Sequence, residues 1–349
     1  MKTRVRISIV LVNLNGKKWL EKSLKSILKS DFQEFEIILV DNGSTDDSVE
    51  FVKRTYQGEP RIMIIQNKRN VGWSPANNQG IKVAKGDIIA CLSNDMEVDP
   101  RWLGEISKVL DSDPKIGIVQ CNSLSMQDRK TLDSAMNFLD KFGYAYSYAP
   151  TDKPKEVFLA EGMAFGIKRE LIENVGMLDD YFFMEYDDMD FSWRARLAGY
   201  KVFFVPSAIV YHARGGTVGA TYFQRLPNIT LYSRNHLVTL IKNYELKNLL
   251  KVIPVIILIE TAKMLYLMKK GHSKLATATL KGLFQVLIDI KLIWRKRMEV
   301  QLKIRKVSDK EVMKLMVPFN PKLLISFLAR QAVGKRFVSN TKSYRRGMD

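Results

Sequence analysis

Cysteine is nearly absent from this 349-residue chain, which holds only Cys91 and Cys121. Two thiols cannot build a disulfide framework, so a reducing compartment fits better. Long apolar runs are missing as well. Residues 249–268 come closest, with eight uncharged residues in a row at 252–259. Lys251, Pro254, Glu260 and Lys263 interrupt any span of the ~20 residues that a membrane crossing needs. Residues 283–294 are similarly apolar but carry Asp289 and Lys291. The first residues, Met1-Lys-Thr-Arg-Val-Arg6, are basic, yet the apolar run behind them meets Asn13 and Asn15 within a few positions. That pattern predicts a buried first strand rather than a secretory leader. No internal repeat and no low-complexity segment occurs.

Acid is scarce in one place only. The formal net charge is +18. Residues 261–349 hold 21 Lys and Arg against five acids (Asp289, Glu299, Asp309, Glu311 and Asp349), net +16, whereas residues 1–260 hold 34 bases against 32 acids, net +2. A nearly neutral body thus carries a basic C-terminal quarter, as a nucleic acid, an anionic membrane surface or an acidic partner would favour. The hydrophobic fraction of 46% excludes a disordered tail protein, and the length permits a sizeable core.

The first 120 residues alternate in pattern. Residues 7–12, 36–40, 61–65, 87–92 and 116–120 are short apolar runs of strand character. Helical patterns at 17–29, 75–84 and 100–110 and a helix start at Ser44-Thr-Asp-Asp47 lie between them. This rhythm predicts an α/β domain with a mostly parallel sheet, whose ligands bind beyond the carboxyl ends of the strands. The polar clusters Asn13, Asp41–Thr45 and Asn94–Asp95 fall at those ends. Residues 121–156 lose periodicity and read as a long loop region. Residues 158–167 regain strand character, a helix starts near Asp187, and 201–205 and 208–211 read as two short strands. From about Tyr222 the chain reads as helical.

Four clusters could carry chemistry, and each has an ordinary structural reading beside the functional one. Asp41-Asn42-Gly43-Ser44 could hydrogen-bond a ribose or base edge, or merely cap a helix. Asp95 emerges from a buried strand, where a carboxylate needs a partner; Mg²⁺ or Mn²⁺ bridging nucleotide phosphates would serve, as would a helix-capping role. Asp187, Asp188 and Asp190 crowd a helix start, which suits the dipole, yet behind Phe182, Phe183 and Tyr186 they also invite a raised pKa and general-base work, with Arg194 and Arg196 as internal partners. His212, one of three histidines, precedes a Gly-Gly pair.

In this order, Ser8-Ile-Val-Leu-Val-Asn13, Val40-Asp41-Asn42-Gly43-Ser44-Thr45-Asp46, Asn70-Val-Gly-Trp-Ser-Pro-Ala-Asn-Asn78, Ser93-Asn94-Asp95 and Glu161-Gly162 with Asp187-Asp188-Met-Asp190 resemble the family-two inverting glycosyltransferases of the GT-A fold, in their rhamnosyltransferase-like branch, over about residues 5–245. The resemblance implies a GT-A (Rossmann-like), mostly parallel sheet flanked by helices. The chain is expected to divide into a catalytic domain at 1–220 and, from the charge and apolar faces of its tail, a basic, amphipathic, membrane-associating helical region at 221–349.

It further implies that Val12, Asn13, Asp41, Asn70, Gly72, Asn77, Asn94 and Asp95 bind the nucleotide-sugar donor, that Asp95 and His212 hold Mg²⁺ or Mn²⁺, and that Asp188 is the general base. Asp187, Trp193 and Tyr146 become acceptor contacts. One departure is Ser93, which stands where the first acid of the metal motif is usual, while Glu97 lies two residues past Asp95. The function implied is transfer of a sugar from a dTDP-rhamnose-like or UDP-sugar donor to a lipid-linked or cell-surface glycan. A nucleotidyltransferase or a non-catalytic nucleotide-sugar-binding relative is the alternative.

The basic quarter lacks the stacking motifs of single-strand nucleic-acid binders, so no nucleic-acid partner is expected. Apolar helix faces mixed with Lys and Arg favour an anionic leaflet, hence peripheral attachment at the cytoplasmic face of the cell membrane. A solvated basic domain or a homodimer surface is the competing reading.

Overall fold

The computed structural model describes residues 5–213 and 226–321. Seven alternating elements open the chain: β1 (Ile7–Asn13), α1 (Lys17–Leu28), β2 (Phe35–Asp41), α2 (Ser48–Thr55), β3 (Ile62–Gln66), α3 (Trp73–Val83) and β4 (Ile88–Ser93). β5 (Met96–Val98), α4 (Trp102–Ser112) and β6 (Ile116–Ser125) follow. Then come β7 (Leu132–Ser134), β8 (Met136–Leu139), β9 (Ala145–Tyr148), β10 (Lys155–Val157) and β11 (Ala164–Lys168). α5 (Arg169–Val175), α6 (Asp187–Leu197) and β12 (Lys201–His212) complete the α/β body. The C-terminal helices are α7 (Leu226–Asn243), α8 (Leu246–Lys269), α9 (Ser273–Ile288), α10 (Ile290–Glu299) and the short α11 (Asp309–Val312).

The main sheet runs β10-β12-β6-β11-β4-β1-β2-β3. Its β4-β1-β2-β3 half is parallel, as is the β12–β6 pair, and β11 is antiparallel to both its neighbours. Successive side chains of a strand point to opposite faces. Ile7, Ile9 and Leu11 therefore join Ile37 and Leu39 against α1 and α4, while Val10, Val12, Ile38 and Val40 face the other layer. Burial on both faces explains the uninterrupted apolar strands seen in the sequence. That second core also includes Leu237, Val252, Ile293 and Val317, so it is continuous from the sheet into the C-terminal helices. The boundary drawn at 220/221 falls outside the described residues.

Three sequence expectations change. Residues 121–156 are largely strands: β6 continues to Ser125 and β8 pairs with β9. The alternation Tyr144-Ala-Tyr146-Ser-Tyr148 is a period-two strand signal rather than a loop signature. Residues 201–211 form one strand, β12, whose register shifts between Val205 and Ile209, where Pro206 cannot donate to the ladder. Residues 303–314 are not one helix. A π-helical turn (Val300–Ile304) and the extended Arg305 precede α11, so the Lys303, Lys306, Lys310 and Lys314 stripe does not form.

Candidate active site

Parallel register places the polar turns side by side. Asn13, at the end of β1, lies opposite Asp41 of β2, and Val12 lies opposite Ser93 of β4. β11 runs antiparallel to β4 with Ala164 opposite Leu92, bringing Glu161 and Gly162 to the same end. β12 lies alongside, with His212 opposite Met96 of β5.

Asn13 links the first two turns. Its amide donates to Asp41 Oδ1 at 2.8 Å and to Ser44 Oγ at 3.0 Å, while its Oδ1 accepts from the Asn94 amide at 2.7 Å. Asp41 also accepts the Ser44 N–H at 3.1 Å. Asn13, Asp41 and Asn94 are buried, as is Val12. They hold the turns in place, and the residues reaching solvent there are Asn15 and Thr45, joined by a 2.8 Å bond from Thr45 N to Asn15 Oδ1.

Asn42 organises the neighbouring wall. It donates to Asn70 Oδ1 at 2.9 Å and to the Gly72 carbonyl at 3.1 Å, and accepts the Val71 N–H at 3.0 Å. Gly72 has φ +101, and a Cβ there would lie 2.6 Å from the Phe183 carbonyl oxygen, so only glycine fits. Asn77 lies deeper, on α3. It is fully buried and donates to the Trp73 carbonyl of its own helix at 2.9 Å, while its Oδ1 has no hydrogen-bond partner among the described residues.

His212 stands between two carboxylates. Its Nε2 lies 3.2 Å from Asp95 Oδ2 and its Nδ1 lies 2.8 Å from Asp133 Oδ2, which also accepts from Ser123 Oγ at 3.0 Å. Burial opposes the imidazolium charge, but the bonds to Asp133 and Asp95 outweigh it and raise His212 to about 9. Burial works to raise Asp95; the His212 and Ser93 contacts outweigh it and lower the carboxyl. Ser93, in place of an acid, donates to Asp95 Oδ1 at 2.6 Å, and Glu97 is engaged by Arg129 instead. The Gly-Gly pair after His212 lies outside the described residues.

Among the described residues no group of three or more acidic, His or Cys side chains gathers as a cation cage. Asp95 and His212 nevertheless suit a hard cation that takes its remaining oxygens from phosphates and water. Asp133 on the far ring nitrogen orients the imidazole as metal-ligating histidines require.

Facing this edge is a group of four carboxylates. Asp188 Oδ2 accepts the Gly162 N–H at 2.8 Å and Oδ1 accepts the Met189 N–H at 2.8 Å. Burial raises Asp188 despite these bonds. It raises Asp187 too, with the Asp188 charge adding and the Ser74 hydroxyl opposing. Burial pushes Glu161 up to about 7, opposed by Ser134 and assisted by the Asp188 and Asp133 charges. Glu185 also rises to about 7, through burial and then the charges of Asp188 and Glu161. Asp190 belongs to a different arrangement. It lies 2.8 Å from both Arg194 Nε and Lys242 Nζ, which ties α6 to α7.

Two residues expected as acceptor contacts lie inside the core. Trp193 is wholly buried, packed edge-on against Phe158 and Tyr244 at 5.6 and 4.8 Å between centroids. Tyr146 is buried and donates to Asp140 Oδ2 at 2.8 Å. Aromatic rings that complete a core offer no face to a sugar. Asp187 is also buried. Arg196 pairs with Glu156 at 2.9 Å rather than with the acids of α6.

The residues that sequence reasoning missed lie largely on α7. Asn235 donates to the carbonyls of Phe182, Met184 and Glu185 at 3.0, 2.8 and 2.8 Å, and Arg234 donates to those of Tyr181 and Phe182 at 2.8 and 3.2 Å. Lys242 reaches Asp179 at 2.7 Å. Their signal was a polar stripe, Asn235, Thr239, Lys242 and Asn243, at helical spacing.

Residues 8–176 match the family described as Glycosyl transferase family 2. The match covers just under half of the chain, from β1 to α5. The chain is 26% identical over 227 residues to poly-beta-1,6-N-acetyl-D-glucosamine synthase of Staphylococcus aureus, covering 63% of this chain and 53% of the synthase. It is 26% identical to an uncharacterized protein, y4gI, of Sinorhizobium fredii, covering 61% of this chain and 25% of that protein. The chain thus spans about half the length of the synthase or less of such relatives.

Among solved structures, the mannosyltransferase PcManGT of Pyrobaculum calidifontis, in complex with GDP-Man and Mn²⁺, is similar at TM-score 0.54 and 16% identity, covering 95% of this chain and 86% of that one. GalNAc-T7 with UDP, GalNAc and Mn²⁺ is similar at TM-score 0.52 and 21% identity, covering 60% and 43%. At such identities the likeness establishes the fold, a mixed α/β GT-A sheet flanked by helices.

Proposed function

We propose that the protein is an inverting glycosyltransferase. It moves a sugar from a nucleoside-diphosphate donor, dTDP-rhamnose-like or UDP-linked, to a hydroxyl of a lipid-linked or cell-surface glycan. The observation that carries this reading is electrostatic. Glu161 senses Asp188 on one side and Asp133 and His212 on the other, so the base candidate and the diphosphate-side candidates belong to one cluster.

Asp188 keeps lone pairs beyond those engaged by Gly162 and Met189, and these can accept the proton of an acceptor hydroxyl. The freed oxygen attacks the anomeric carbon opposite the diphosphate. The carbon–oxygen bond to the diphosphate then breaks, and its electron pair stays on the departing phosphate oxygen. Burial raises the basicity of Asp188 and thereby suits it to this transfer. Asp95 and His212 would hold Mg²⁺ or Mn²⁺, which when bound offsets negative charge on the diphosphate. The turns fixed by Asn13, Asp41 and Asn42 present the nucleotide wall.

The test is product analysis with UDP-, dTDP- and GDP-sugars, Mn²⁺ and a panel of glycan acceptors. Inverted anomeric configuration, lost in Asp188→Asn, supports the reading. Retained configuration, or synthesis of a nucleotide sugar from a sugar phosphate, overturns it.

A further inference from the structure

Among the described residues, all the exposed large hydrophobic side chains except Met63 and Val83 lie between Leu246 and Leu302. On α8 they recur at helical spacing (Leu250, Ile257, Leu258, Leu265), so a stripe runs along the helix. Leu258 is 69% exposed, and Phe284 and Leu287 of α9 are 60% and 67% exposed. Such concentration marks an interaction surface rather than scattered surface leucines.

Charge says what covers it. From 246 to 302 the exposed ionised side chains are Lys and Arg, among them Lys251, Lys269, Lys281, Lys291 and Arg295, with Glu299 at the end of α10 the one exposed acid. The other two acids of that stretch are engaged elsewhere. Glu260 is buried against Lys263 at 2.5 Å, and Asp289 accepts from Tyr181 at 2.7 Å and from Gln285 at 2.8 Å. A second copy of this chain would bring cation against cation. Residues 322–349 hold seven bases and one acid, so they carry the same sign. An anionic lipid surface satisfies both the apolar stripes and the cations beside them. Among the described residues no helix is long and apolar enough to cross a membrane.

We infer that α8, α9 and α10 lie in the plane of an anionic leaflet, with Leu258, Phe284 and Leu287 entering it and the flanking cations meeting lipid headgroups. α9 and α10 pack on α7, whose Asn235 holds the segment before Asp188. The surface is therefore built rigidly onto the active-site wall. The inference stands whether or not Asp188 is the base.

The full chain is mixed with phosphatidylcholine vesicles, with and without about 30% phosphatidylglycerol, at low salt and sedimented. Binding is expected to the anionic vesicles only, with a blue shift of tryptophan emission. Leu258→Asp/Phe284→Asp/Leu287→Asp should weaken binding about 10-fold or more, and so should Lys251→Glu/Lys281→Glu/Lys291→Glu, which leaves the apolar face intact. Both variants should melt like the parent. No binding by the parent, or equal binding to neutral vesicles, overturns the inference. So does a parent dimer that the leucine and phenylalanine changes dissociate, since the occupant is then a second copy.

Discussion

The side-chain amide of Asn235, on α7, donates to the backbone carbonyl of Glu185 at 2.8 Å, across a gap of fifty residues in sequence. The same amide serves Phe182 and Met184, and its oxygen accepts from Arg234 Nε at 2.8 Å, which fixes its orientation. Phe183, Glu185 and Tyr186 all have φ near +65 (64, 66 and 66). Such backbone costs of order 1–3 kcal/mol per residue and persists only where the surroundings over-determine it. Asn235 is one such constraint, and it aims the start of α6 at Gly162.

Asn235→Ala leaves carbonyls bare, each at about 1–3 kcal/mol where burial is retained. We expect lower stability to urea and a kcat reduced about 10²-fold through displacement of Asp188. Nucleotide affinity, measured by calorimetry, should stay nearly constant because the Asn13–Asp41 turns are untouched. A parent-like kcat would remove Asn235 from any positioning role.

Asp187 is buried and its neighbour Asp188 half-buried, and the two should respond differently to loss of charge. Asp188 is gripped by two backbone N–H groups at 2.8 Å, which favours its ionised form, whereas burial and the Asp188 charge raise Asp187. Burial pushes Asp187 up to about 8, so it holds a proton at neutral pH. Asp188→Asn should lower kcat by about 10²–10⁴-fold. Asp187→Asn mimics the protonated neighbour, so it should retain most activity at neutral pH. Because Asp187 is already protonated on the acidic side, the acidic limb of the rate profile should stay close to the parent's. Equal losses in the two variants would refute the division of roles.

Glu161 allows a linkage test. Its folded pKa is raised from 4.5 to about 7 by burial first, so between those values the native state binds more protons than the unfolded chain. The slope of unfolding free energy with pH is then negative, and stability due to this group falls as pH rises toward 7. Glu161→Gln carries no charge to desolvate. Its stability relative to the parent should improve from pH 5 to pH 8, by at most about 3 kcal/mol. Chemical denaturation at the two pH values reads this, and an unchanged difference would mean that Glu161 titrates normally.

The parallel half of the fold was legible because its strands are buried on both faces and its turns are polar. Asp95, Asp188 and His212 were legible as unusual carboxylates and a scarce histidine at strand and helix ends. Their supports were not. Asp133 lies in a segment of short strands whose local pattern is weak, and it meets His212 only through pairing of β7 with β6 and β6 with β12. The burial of Trp193 and Tyr146 was not legible, because an aromatic ring suits a sugar and a core equally well. The tail was read as a membrane address throughout. Its first helix, α7, is in fact the back wall of the site, joined to it by Lys242–Asp190 and Asn243–Asp190 at 2.8 and 3.0 Å.

Asp133 is where that missed support becomes measurable. It touches His212 Nδ1 at 2.8 Å while Asp95 faces Nε2, so it sets which nitrogen points toward the cation position. Loss of such an outer partner typically weakens metal binding about 10–100-fold. Asp133→Asn preserves the shape and can still accept a hydrogen bond through its amide oxygen, whereas Asp133→Ala cannot. Mn²⁺ affinity in the presence of UDP, followed by the paramagnetic signal of free Mn²⁺, should fall in the order parent, Asn variant, Ala variant. Asp95→Asn, which removes a ligand charge outright, should fall below both. If Asp133→Ala binds Mn²⁺ as the parent does while Asp95→Asn does not, His212 plays no part in holding the ion, and its two carboxylate contacts serve only to close the β5–β12 edge.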